Sequence, residues 1–264
     1  MGSEIIQIGP WQLVFGLLFI LVAGLTSLYH SLGLERDLFV GTIRTFVQLF
    51  LLGYLLRIIF NLQGAFLVLI LFGFMILFAA WTIRGRIRDR QLSFFWPIFT
   101  SMLISYFLVS FVVTALIVGV KPWWKPQYFI PLGGMVIGNS MNAIAIALER
   151  LLNDLRTRRS EVEMMLCIGA DYREASKELV REAMRAGMIP SINSMMAVGV
   201  VFIPGMMTGQ ILAGADPLVA IRYQIVVMIM LVGSTTISTL SAVLLIRKLC
   251  FGPAHQLLLR PQKR

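Results

Sequence analysis

Long apolar runs separated by short polar breaks make up most of this chain. Runs from about Trp11 to Tyr29, Leu38 to Phe60, Ala65 to Ile83, Phe94 to Val120, Phe129 to Leu152, Met188 to Leu212 and Val219 to Ile246 are each long enough to cross a bilayer as a helix. The pattern predicts an all-α integral membrane protein of about seven transmembrane helices, forming one membrane domain over residues 1–264.

One long polar stretch interrupts the apolar runs, at 153–187. Ser160 with Glu163 has the spacing of a capping box, and Asp171 with Glu174 repeats it with Asp as N-cap. Gly169 lies between them, where a glycine ends a helix. The spacing predicts a short helix, a Gly elbow, and a second helix to about Arg185, stopped by Gly187 and Pro190. Leu179, Val180, Ala183 and Met184 give that helix an apolar side.

Charge sets the expected orientation. Of 23 basic residues, 18 fall on one side: one in 30–37, four in 84–90, eight in 150–185 and five in 247–264. Cytoplasmic loops carry such an excess, so the N-terminus is expected outside and the elbow and C-terminus inside. The net charge of +10 therefore reads as membrane orientation and not as nucleic-acid binding. Both cysteines, Cys167 and Cys250, fall on the reducing side, and no disulfide is expected. No cleavable signal peptide is evident. The Trp-bearing turn Lys121–Pro126 has the composition of an interfacial anchor.

Two segments share the pattern G-M-x-x-G-[NQ]: Gly134 to Asn139 and Gly205 to Gln210. Gly134 with Gly138, and Gly205 with Gly209, have the small-xxx-small spacing that lets helices approach closely. Asn139 and Gln210 end the two copies with amides that lipid does not solvate. Asn139, Asn142, Met206, Met207, Gln210 and Gln224 are the candidates for a transport pathway. Met206 and Met207, with Met195 and Met196, offer thioethers to a soft metal or serve as flexible filler. The Ser/Thr run from Ser234 to Ser241 has self-bonding to its own helix carbonyls as its plain explanation. Arg44, within the second run, either snorkels to the surface or pairs with an anion.

Catalytic patterns are missing. No Gly-Lys-Ser or Gly-Lys-Thr occurs, so the chain has no Walker A loop for ATP. His30 and His255 are too few for a histidine metal cluster, and no G-x-S-x-G, H-E-x-x-H or C-x-x-C appears. The chain is expected not to be an enzyme and to bind no cofactor of its own; its metal ligands, if any, are not legible.

Five segments carry a family resemblance: GNSMNAIAIALERL (138–151), EVEMMLCIGA (161–170), REAMRAGMIPSINSM (181–195), VGVVFIPGMMTGQILAGADPLVAIRYQI (198–225) and RTFVQLFLLGYLL (44–56). They resemble the FetB permeases of the UPF0014 family. The resemblance implies the membrane subunit of an ABC transporter in the inner (plasma) membrane, with ATP hydrolysed by a separate FetA-like ATPase subunit. It implies two permease chains per working unit, and iron or another metal as exported cargo. Plant relatives are linked to UDP-glucose, so a nucleotide sugar is the alternative cargo. Glu163 and Gly169 match the E-x-x-x-x-x-G spacing of the loop that docks importer permeases on their ATPases, with Met164 and Met165 in place of two alanines. Glu161, Glu163, Gly169, Ala170 and Asp171 are thus the expected coupling surface. A stand-alone channel or secondary carrier is the rival. It would be expected to carry intramembrane acids, and only Glu149 lies within a run.

Overall fold

The computed structural model describes residues 8–62, 64–87 and 94–259. Arg88, Arg90, Arg260, Lys263 and Arg264, counted above on the inner side, lie outside the described residues. Among the described residues, ten α-helices follow in order: α1 (Pro10–Tyr29), α2 (Glu35–Leu62), α3 (Ala65–Arg86), α4 (Phe95–Phe111), α5 (Pro126–Thr157), α6 (Arg159–Cys167), α7 (Tyr172–Ala175), α8 (Lys177–Ala197), α9 (Gly205–Leu212) and α10 (Pro217–Cys250). A π-helical turn, Val112–Ile117, extends α4.

The protein is an all-α membrane protein. Among the described residues, six helices are long and apolar enough to cross a membrane: α1, α2, α3, α4 with its π turn, α5 and α10. The seventh expected crossing is not one helix. α8 ends at Ala197, a turn follows, and α9 restarts at Gly205. The cause is local. Gly199 takes φ +84, and Pro204, which has no amide hydrogen to continue a ladder, is the N-cap of α9. Val200 and Val201 turn back onto the Ala197 carbonyl at 3.3 and 2.9 Å, and the Gly199 amide donates to Phe202 at 3.0 Å.

Gly187 and Pro190 do not stop α8, contrary to the sequence expectation. A Cβ at Gly187 would stand 2.6 Å from the Ala143 carbonyl oxygen and 2.9 Å from Ala147 Cβ of α5. The glycine is there for close approach, and packing on α5 and α10 carries the helix through Pro190.

α5 is the centre, packed against α3, α4, α8 and α10. Ile144, Leu148, Leu151 and Leu155 of α5 are fully buried with Ile76 of α3 and Met102 of α4. A hydroxyl seam joins the same helices. Ser101 Oγ donates to the Ser238 carbonyl at 3.0 Å, and Ser140 and Thr235 hydroxyls lie 3.3 Å apart. Ser234, Thr236 and Ser238 also bond back to carbonyls of their own helix, as expected. Trp123 of the interfacial turn is half-buried and meets Phe111 and Phe129 edge-on, with centroids at 5.4 and 5.7 Å.

α1 and α2 form a hairpin that stands largely clear of this bundle; among its described side chains, only Ser27 and Ile59 are buried. Its turn is tied by Ser27, whose hydroxyl donates to Glu35 at 2.7 Å and accepts from the Leu34 amide at 3.0 Å. Arg44 is exposed on α2.

After α10 the chain hooks back. Phe251 pairs with Leu257 in an isolated bridge, the Leu258 amide donates to Cys250 at 2.9 Å, and Arg159 Nη1 donates to the Leu259 carbonyl at 2.7 Å.

Candidate functional site

The elbow is built from two well-formed caps with one residue between them. Gly169 at φ +98 ends α6 in a conformation that glycine takes without a Cβ penalty. The Gly169 amide donates to Leu166 and the Ala170 amide to Met165, both at 3.1 Å. Asp171 then caps α7. Its Oδ1 accepts from the amides of Arg173 and Glu174 at 2.8 and 2.7 Å, and Glu174 Oε2 accepts from the Asp171 amide at 3.2 Å. Those bonds, that from Glu174 first, hold the Asp171 carboxyl below its ordinary range.

The other expected cap is not formed. α6 starts at Arg159 behind Arg158, with no side-chain cap, so Ser160 lies inside the helix. α5 runs almost directly into α6, which leaves no extended residue for a serine to cap from. Glu163 instead accepts from Arg159 Nε at 2.7 Å, and Glu161 from Arg158 at 2.7 Å.

Behind the elbow, Glu182 of α8 joins two arginines, Arg150 of α5 at 3.2 Å and Arg158 at 3.5 Å. Arg150 also meets the buried Asp154 at 2.7 Å. The ends of α5, α6 and α8 are thus joined by one chain of charges. The Glu161 carboxylate raises the Arg158 guanidinium further above its ordinary value. From the other side, Tyr172 of α7 stacks with His255 of the hook at 5.4 Å and meets Phe251 at 5.6 Å. Arg247 lies over the Tyr172 ring at 5.6 Å.

Beside the exposed charges of Glu161, Arg173 and Glu174, the elbow presents apolar side chains outward. Met164 of α6 is 62% exposed and Ile168, the C-cap residue one helical turn on, is 75% exposed. Ile168 is absent from the sequence-derived coupling set. The i, i+4 spacing of two apolar side chains on a short charged helix is the signal that would have found it.

Away from the elbow, the pathway candidates fall into two groups. Met207 and Gln224 line a cavity of about 450 Å³ between the α8–α9 turn and α10. Met206 and Gln210 are half-buried on α9, and Gln210 Oε1 has no hydrogen-bond partner. Asn139 and Asn142 are elsewhere, exposed on one face of α5, where Asn139 Nδ2 donates to the Met135 carbonyl at 2.9 Å.

The two G-M-x-x-G-[NQ] copies have different surroundings within one chain. A Cβ at Gly134 would meet Met75 of α3 at 3.2 Å, while Gly138, Gly205 and Gly209 have open space there. Close approach is made instead by Gly187 and by Gly133, which faces the Phe72 ring. Among the described residues, no group of three or more His, Cys, Asp or Glu is placed to hold a metal ion.

Three relatives place the chain. It is 36% identical to UPF0014 membrane protein slr1647 of Synechocystis sp. (strain ATCC 27184 / PCC 6803 / Kazusa), over 94% of this chain and 96% of the relative. It is 33% identical to the probable iron export permease protein FetB of Escherichia coli (strain K12), over 96% of each. It is 32% identical to protein ALUMINUM SENSITIVE 3 of Arabidopsis thaliana, over 94% of this chain and 92% of that one. No solved structure matches it significantly. Residues 10–251 match the model described as uncharacterised protein family UPF0014. With its six membrane-length apolar helices, this chain is a multi-pass membrane protein and belongs to the UPF0014 family.

Proposed function

We propose that this chain is the permease subunit of an ABC exporter, without an ATPase site of its own, that docks through α6 and α7 on a separate FetA-like ATPase. The observation that carries the reading is the elbow. Exposed Met164 on α6 and Ile168 just after it stand beside the Gly169 turn, the Asp171 cap holds α7 next to them, and Arg158 links Glu161 of α6 to Glu182 of α8. An apolar knob on a braced helix suits a partner's groove. Movement of the partner would pass through Glu182 into the central helices.

The proposed orientation has the elbow and hook in the cytoplasm and the N-terminus outside, in the inner (plasma) membrane, following the charge asymmetry. The working unit in this reading is two permease chains and two ATPases. Asn139 and Asn142 are exposed on a membrane helix where lipid gives amides no partner. Their face of α5 is the natural one to meet a second copy and line the pathway. The proposed cargo is iron or another metal. Two relatives carry a metal in their names, and the amide oxygens along α5 are neutral ligands of the kind a hard cation accepts.

The test is co-expression with the ATPase and purification through a tag on the N-terminal side of α1. Wild type is expected to retain the ATPase, and Ile168→Asp to lose it while remaining folded in the membrane. A wild-type permease that retains no ATPase and moves ions in liposomes without ATP would overturn the reading in favour of a stand-alone carrier.

A further inference from the structure

Two exposed helix faces carry polar groups at depths where lipid offers them no partner. On α2, Arg44 and Gln48 lie one helical turn apart and are both exposed. On α5, Asn139, Asn142 and Glu149 are exposed at spacings of three and seven residues, so they share one side of the helix. Among the described residues, neither Arg44 nor Glu149 has an ion-pair partner, and the Gln48 and Asn142 side chains have no hydrogen bond. Charged and amide side chains within a membrane segment seek protein partners. Within one chain the two faces do not meet, since all five side chains are exposed and the hairpin stands largely clear of the bundle.

The faces match in depth. In the proposed orientation α2 ends at Leu62, and α5 begins at Pro126, on the outer side. Ile59, near that end of α2, belongs to the buried core that also holds Phe129 and Ile130 near that end of α5. Counted inward at 1.5 Å per residue, Gln48 and Arg44 lie about 21 and 27 Å down α2, and Asn139, Asn142 and Glu149 about 20, 24 and 35 Å down α5. The amides of the two faces are therefore level. Arg44 stands about 8 Å outward of Glu149, a gap that two long side chains span when the guanidinium leans toward the inner surface. One face carries a base and the other an acid, so the two are complementary in charge. Gly41 beside Arg44 and Gly138 beside Asn142 have nothing within 4 Å of a Cβ, which leaves room for close approach.

We propose that these faces form the contact between two permease chains: α2 of one copy lies along α5 of the other, pairing Arg44 with the partner's Glu149 and Gln48 with the partner's Asn142. The occupant is a second copy because this chain carries both complementary faces. A twofold axis then makes the contact twice, each copy giving its α2 face and receiving on its α5 face. The seam rests on the two-chain unit proposed above, and it places that unit's pathway between α5 and the partner's α2. Snorkelling to the inner surface would satisfy Arg44 alone. Gln48, one turn deeper, and Asn142 would still lack partners.

The test is disulfide trapping in intact membranes, with two full-length copies co-expressed under different tags. One carries Gln48→Cys and the other Asn142→Cys; the exposed Cys167 is replaced by Ser in both, and the buried Cys250 is kept. Oxidation is expected to give a species bearing both tags, which no link within one chain produces. Gln48→Cys with Phe74→Cys, at an exposed site on α3, should give none. Adding Arg44→Glu to the Gln48→Cys copy should lower the yield per inserted chain about fivefold, and Glu149→Arg in the other copy should restore it. Equal trapping at Phe74, or a loss that Glu149→Arg does not restore, would overturn the seam. Capture of one tag with the other in mild detergent, without trapping at this pair, would overturn it and leave the two-chain unit standing. No joint capture at all would overturn both.

Discussion

Gly187 of α8 lies against Ala143 of α5 so closely that a Cβ would stand 2.6 Å from the Ala143 carbonyl oxygen. Backbone cannot yield as a flexible side chain does. Gly187→Val is therefore expected to force α8 away from the central helix, at a cost of about 1–3 kcal/mol. Gly73→Ala, on α3 with nothing within 4 Å of its Cβ, should change stability by no more than about 0.5 kcal/mol. Thermal unfolding of the detergent-solubilised protein compares the two.

Glu182 is a connector more than a source of stability. Its partner Arg150 is exposed and Arg158 partly so, and pairs near the surface contribute about 0–1 kcal/mol. Glu182→Gln should leave unfolding within that margin. The same change should reduce stimulation of the partner ATPase by the permease, measured as ATP turnover in the reconstituted complex. An equal fall in stability and stimulation would assign Glu182 a structural role only.

The Asp171 cap gives the elbow a pH dependence whose sign follows from its lowered pKa. The contribution is present above the ordinary aspartate value of 3.8. It is lost as pH falls through the lower folded value. Amide exchange at Arg173 and Glu174, corrected for intrinsic rates, should accelerate under that acidification. Asp171→Asn caps without titrating and should remove the dependence.

The hook is expected to protect the elbow. Phe251→Ala removes one of the rings on Tyr172, so limited proteolysis within 160–176 should quicken. Insertion of the membrane helices should be unchanged. Equal cleavage in both forms would show that the hook only rests there.

Much of the fold was legible because hydrophobic length is a strong signal in membranes. Gly169, Asp171 and Glu174 were also legible, since each cap is a contact between residues near in sequence. The misreadings arose where the surroundings outweighed a local signal. Ser160, Gly187 and Pro190 carry the local signature of helix ends; the direct run of α5 into α6 overrode it at Ser160, and packing of α8 on its neighbours overrode it at Gly187 and Pro190. At 198–204 the opposite occurred: apolar composition hid a Gly and a Pro that broke the helix. Legibility of the candidate site was divided in the same way. Met207 and Gln224 line one cavity from α9 and α10, which no spacing rule reports, whereas Ile168 lies four residues after Met164, a spacing the sequence carries.

The hook also orders events in time. Residues 251–259 leave the ribosome after α1 to α10, yet they carry Leu259, whose carbonyl receives Arg159, and His255, which stacks on Tyr172. The surface proposed to receive the ATPase is therefore completed only after α10 has been made. A chain cut short within the hook would insert its helices and still lack a finished elbow, so recruitment of the motor subunit would act as a check that synthesis had passed this point.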